Sequence, residues 1–182
     1  GSAKIEHVDG GDGLGQGLGV FQFVFQRAGV LLLQRVVEAF QPRLNAHYDH
    51  DNETLAVHTA VHLGIATQTD DGLRVPVVHR ADARSLHELA AEIERVAGAA
   101  RDGSATRAEL TGSTISITSL GALGGLVTTP ILNAPEVAIV GVNRIVARPV
   151  VHQGAIAVRQ MMNLSSSFDH RVVDGAVAAA FI

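Results

Sequence analysis

The sequence contains no cysteine. That removes a disulfide framework, a thiolate zinc site, an iron–sulfur cluster and a cysteine nucleophile, and it points to a reducing compartment, with the cytoplasm as the default. Charge is also scarce. Asp, Glu, Lys and Arg make up 18% of the 182 residues against 47% hydrophobic, less charge than a monomer of this size needs to coat its surface, so an oligomer is expected. Nor is there a basic excess: 14 Lys and Arg stand against 18 Asp and Glu, for a net charge of −4. Without a basic patch, the counterion release that drives nucleic-acid binding has no source. Every apolar stretch is broken by Arg, Gln, Glu or His before the roughly 18 to 20 residues of a membrane span, and the start lacks the basic-then-apolar pattern of an export signal. Gly1 and Ser2 read as the remnant of a cleaved tag. At this length, one domain with a substantial core is expected.

What is present begins with glycine. Gly10 to Gly19 reads GGDGLGQGLG, but neither GxGxxG nor the P-loop pattern fits it and no strand precedes it, so residues 1–19 are read as tag remnant and flexible segment. The domain proper spans 20–182. From Val20 to Phe40 apolar residues recur at intervals of three and four, predicting an amphipathic helix that ends before Pro42. Leu55 to Thr69 alternates as a strand, with His58 and His62 on one face. Four strand positions separate these two by about 13 Å, too far to share a metal. Asp70, Asp71 and Gly72 signal a turn, and Leu73 to Val78 reads as a short strand with Pro76 at an edge or bulge.

Ser85 with Glu88 forms a capping box ahead of the stripe Leu86, Leu89, Ala90, Ile93, Val96 and Ala97, and Arg101 before Gly103 closes this helix. Thr106 with Glu109 repeats the box for one short turn. Ser113 to Ser119 and Val137 to Val142 read as strands, Val150 to Val158 as a hairpin turning at Gln153 and Gly154, and Asp174 as the start of a last helix that runs to Ile182.

The densest polar cluster is NLSSSFDHRVVDGA, from Asn163 to Ala176. No serine in it has the flanking glycines of a nucleophile elbow, so a serine hydrolase is not indicated. On residue chemistry alone, Asp174 as a helix cap with His170 and Arg171 as loop residues stands level with a catalytic role for His170. SSSFDHRVVDGA resembles the signature of the acyltransferases that include dihydrolipoamide acyltransferases and chloramphenicol acetyltransferase: His, three residues, then Asp and Gly, here His170, Asp174 and Gly175. Ser113 to Ile145 and His62 to Val78 resemble two further blocks of the lipoyl-dependent branch. The wording around SITSLGALGG and MMNLSSSFDHRVVDG is most similar to the branched-chain 2-oxoacid dehydrogenase subtype, with the pyruvate subtype close behind.

The resemblance implies an α/β fold, a chloramphenicol acetyltransferase-like mixed-sheet sandwich that forms a homotrimer and assembles further into a cage. It implies transfer of an acyl group from dihydrolipoamide to coenzyme A, both as substrates, with the lipoyl group carried on a domain outside these residues. The dehydrogenase and lipoamide dehydrogenase components of the complex would be its partners. His170 would be the general base and Thr118 the hydroxyl donor to the oxyanion, in a site shared between subunits, with Ser119 the neighbouring alternative to Thr118. Asp174 would hold the His170 loop by accepting backbone N–H bonds and pairing with an Arg, and Gly175 would leave room for close packing. The same comparison leaves the domain short of the family pattern at both ends, which makes a catalytically incomplete scaffold the alternative reading.

Overall fold

A computed structural model describes residues 42–119 and 125–182. The glycine-rich run and the helix expected over Val20 to Phe40 lie outside them. In chain order the elements are β1 (Ala46–Asp49), β2 (Thr54–Val57), β3 (Leu63–Thr69), β4 (Gly72–Arg74), β5 (Val77–Val78), α1 (Leu86–Asp102), β6 (Ile115–Thr118), β7 (Ala138–Val142), β8 (Val146–His152), β9 (Ala155–Met161), β10 (Leu164–Phe168) and α2 (Gly175–Phe181). The main sheet runs β10-β7-β6-β3-β4, with β5 also paired to β3. Strands β3, β6 and β7 are parallel, while β4, β5 and β10 join antiparallel. A parallel pair needs a crossover, and α1 supplies the one from β3 to β6.

Helix α1 forms for the reasons its sequence states. Glu88 N–H donates to Ser85 Oγ and Ser85 N–H to Glu88 Oε2, and Gly103 ends the helix at φ 77. Leu89, Ile93, Val96, Ala97 and Ala100 are buried. Leu86 stands 37% exposed, because the first turn precedes the contact with the sheet, and Ala100 extends the buried stripe at the other end instead. The short Thr106 box also forms, with Thr106 N–H donating to Glu109 Oε2 at 2.9 Å. Pro76 sits in the break between β4 and β5, where its missing N–H interrupts nothing, and its carbonyl accepts from Ile65 N–H.

The single strand expected over Leu55 to Thr69 is instead two, broken at 58–62. Side chains distant in sequence, Asn45 and Thr114 of them buried, take the backbone groups there. Asn45 Nδ2 donates to the His58 and Ala60 carbonyls, Val61 N–H donates to Asp82 Oδ1, and His62 N–H donates to Thr114 Oγ1. His58 and His62 therefore share no strand face; His58 packs edge-on against His47 and His62 against His79. No metal-binding group occurs among the described residues.

The two faces of the main sheet differ. Register places Leu63, Ile65, Ile115, Ile117, Ala138 and Val140 on one face, where they join Leu89, Ile93, Val96 and Phe181 in the core. The other face carries Ile139 among small residues: Gly64, Ser116, Thr118, Gly141, Ser165 and Ser167. Small residues are required there: a Cβ on Gly141 would sit 2.7 Å from Thr128 Oγ1, and one on Gly64 would collide with Ser116 Oγ. Strands β8 and β9 form a separate ribbon whose turn has Gln153 at φ 51 and Gly154 at φ 82, the left-handed pair of a type I′ hairpin.

Candidate functional site

Thr118 ends β6, half-buried, between Ala66 of β3 and Gly141 of β7. Alternation puts its side chain on the small-residue face together with Ser116. The neighbouring Ser119 donates its hydroxyl to the Val142 carbonyl at 3.1 Å. Further back on this face lies Glu136, 3% exposed. Its Oε1 accepts from Ser113 Oγ, Ser116 Oγ and Asn133 Nδ2, while burial pushes its carboxyl above the usual carboxylate range.

His170 is exposed in the loop between β10 and α2. That loop is organised by Asp169. The Asp169 amide donates to the Val137 carbonyl, its own carbonyl accepts from Val172 and Val173 N–H, and its Oδ1 accepts from Arg171 N–H at 3.0 Å. Arg171 then forks onto the same carboxylate, Nε to Oδ1 at 2.9 Å and Nη2 to Oδ2 at 2.6 Å. This guanidinium holds the Asp169 carboxyl below its ordinary range. Residue-by-residue reading of the sequence missed both; the signal was an Asp two positions before an Arg, the spacing of a side-chain-capped turn.

Asp174 is the N-cap of α2. Its Oδ1 accepts from Val177 N–H at 2.9 Å and its carbonyl from Ala178 N–H. The expected arginine partner is absent among the described ion pairs, since Arg171 is committed to Asp169. Gly175 is exposed, and a Cβ there would meet nothing within 4 Å, so no close packing within the chain itself calls for glycine.

Within one chain the sheet keeps Thr118 and His170 apart. Thr118 pairs with Gly141, which pairs with Ser165 across the next strand, but β10 then runs on to Phe168, opposite Ala138, before the loop begins. At about 3.3 Å per residue along a strand and about 4.8 Å between strands, the two side chains leave the sheet from opposite ends. Two surface pockets lie at the His170 end and share His47 and Pro135. Tyr48, Asp49, His50 and Thr54 line one of them, and Gly112, Ser113, Asn133 and Glu136 line the other.

The profile of the 2-oxoacid dehydrogenases acyltransferase (catalytic domain) family matches residues 28–182. The chain belongs to this family. Among acyltransferases of the family, the lipoamide acyltransferase component of the branched-chain alpha-keto acid dehydrogenase complex of Pseudomonas putida is 64% identical over 141 residues, 78% of this chain and 33% of that protein. The chain thus spans about a third of that relative's length. The cubic core of a pyruvate dehydrogenase multienzyme complex superimposes with TM-score 0.76 at 37% identity, covering 90% of this chain and 72% of that one. The dihydrolipoamide acetyltransferase of Azotobacter vinelandii does so with TM-score 0.75 at 40% identity over the same shares, and its structure concerns a serine, a histidine and an asparagine in the catalytic mechanism, spaced 52 and 4 positions apart. A chloramphenicol acetyltransferase, 11% identical with TM-score 0.52 over 89% of this chain and 73% of that one, shares the fold. The expected acyltransferase architecture is therefore the one observed.

Proposed function

We propose that this chain is the acyl-transferring core of a branched-chain 2-oxoacid dehydrogenase complex, moving an acyl group from dihydrolipoamide to coenzyme A. One observation carries the reading: Thr118, His170 and Asp174 repeat the spacings of 52 and 4 that separate the serine, histidine and asparagine of the Azotobacter enzyme. The 64% identity to a branched-chain component favours a branched acyl group over acetyl.

The chemistry follows from the thiols. With a pKa of about 8.5 a thiol is mostly protonated at neutral pH, so a base must take its proton as sulfur attacks. His170 accepts the proton of the coenzyme A thiol while its sulfur bonds to the thioester carbonyl carbon. The carbonyl oxygen becomes an oxyanion, to which the Thr118 hydroxyl donates a hydrogen bond that contributes on the order of 3 kcal/mol. As the intermediate collapses, the carbon–sulfur bond to dihydrolipoamide breaks and the leaving thiolate recovers the proton from the imidazolium. Asp174 caps α2 and so fixes where the His170 loop ends. Because Thr118 and His170 leave one sheet from opposite ends, the two meet across a subunit boundary, as in a homotrimer within a larger core. The dehydrogenase and lipoamide dehydrogenase would be partners of the whole assembly, in the cytoplasm.

Incubating the chain with isovaleryl-dihydrolipoamide and coenzyme A tests this. Isovaleryl-coenzyme A should form well above the uncatalysed exchange, and His170→Ala should lower kcat at least about 100-fold with assembly intact. An assembled chain with no transfer would leave the scaffold reading in its place.

A further inference from the structure

The His170 ring makes no hydrogen bond to another described residue, so its position depends on its two neighbours in sequence. Asp169 and Arg171 are locked to each other, but an exposed ion pair alone holds a loop weakly; the Arg171 side chain is 51% exposed. A second element reaches this pair from far away in sequence. The β1–β2 hairpin is anchored beside the loop by Tyr48 N–H, which donates to the Pro135 carbonyl at 2.9 Å, and by a bridge between His47 and Glu136. From there the Tyr48 ring lies under the guanidinium, 4.2 Å from Cζ to the ring centroid. Arg171 Nη1 donates to His50 Nδ1 at 3.1 Å. Arginine has only donors, so His50 Nδ1 is the acceptor in this bond.

Arg171 is thus held on three sides: carboxylate, imidazole and ring face. We propose that Tyr48 and His50 are positioning residues for His170, acting through Arg171. The carboxylate fork fixes the guanidinium in its plane, the aromatic face fixes it out of the plane, and the imidazole fixes the remaining edge. With Arg171 immobile and Asp169 tied to Val137, the backbone on both sides of His170 is set, and the imidazole projects from a rigid turn. The inference rests on the reading of His170 as the base.

The test pairs kinetics with amide hydrogen exchange in the full chain. In Tyr48→Leu and His50→Leu, the Arg171, Val172 and Val173 amides should exchange at least about tenfold faster, and kcat should fall between about tenfold and about 100-fold with KM unchanged. Tyr48→Phe keeps the ring face and His50→Asn supplies an acceptor, so both should restore exchange and kcat toward the parent. Parental exchange and kcat in both leucine variants would overturn the proposal. So would faster exchange spread equally through β7, which marks a general structural tie. If the parent transfers no acyl group, the functional reading fails by itself, and exchange at residues 171–173 still decides whether the clamp exists.

Discussion

The hydroxyl at Thr118 is separable from the shape around it. Thr118→Val keeps the volume of the side chain and removes the O–H, so kcat should fall about 100-fold or more with little change in KM, because an oxyanion bond is made mainly in the transition state. Thr118→Ser should stay near the parent, and steady-state kinetics on the three proteins checks both. A loss at Ser119→Ala with Val tolerated at 118 would move the donor to the opposite face of β6. Asp174 invites a different comparison. Its role in the structure is an N-cap on Val177 N–H, which Asn performs as well as Asp, whereas Ala leaves the amide unsatisfied. Asp174→Asn should therefore retain stability and rate, and Asp174→Ala should lose about 1 to 2 kcal/mol in denaturant unfolding. An inactive but fully stable Asn variant would show that the negative charge takes part in the chemistry.

Helix α1 is tied to the 3-10 turn Ala108–Leu110 by Arg95, which bonds Glu92 on its own helix and Glu109 on the turn. The Thr106 backbone and hydroxyl bonds, with Arg95 behind them, push the Glu109 carboxyl from its ordinary 4.5 down to about 2. A depressed acid stabilises the fold above its unfolded pKa and ceases to do so as pH falls through the folded one. The thermal midpoint should accordingly drop between about pH 4.5 and about pH 2. Glu109→Gln should flatten that part of the profile, less visibly at high salt. A variant as steep as the parent would remove Glu109 from the account. This box, like Ser85 with Glu88, was legible because both partners lie within one turn. The Gln153–Gly154 turn was legible for the same reason, and β7 because its own apolar run is continuous. Strand β10 was hidden because its middle is three serines, residues of low β propensity, two of which, Ser165 and Ser167, lie on the crowded face. The break at 58–62 was hidden because its causes, Asn45, Asp82 and Thr114, are distant in sequence. The site divides likewise: His170 and Asp174 belong to one contiguous motif, whereas the contact of Tyr48 and His50 with Arg171 spans most of the chain.

Two defective proteins offer the test for the molecule as a whole. If each site takes Thr118 from one subunit and His170 from the next, Thr118→Val and His170→Ala chains are each inactive alone but complement when unfolded and reassembled together. Random assembly at equal amounts leaves about a quarter of the sites with both groups intact, and so about a quarter of parental activity. A site made within one chain predicts none. The arrangement of the central sheet has a kinetic side as well. Leu63 pairs with Ile115, and Ser116 with Ile139, so neither parallel pairing can close until the crossover between its strands has been made. Loop-closure entropy must be spent on both before their contacts return it, which puts folding on the slow side for a chain of this size. On the ribosome the edge of β3 that faces β6 stays open until residues near 118 have emerged, and its apolar residues Leu63 and Ile65 are the stretch a chaperone would have to shield.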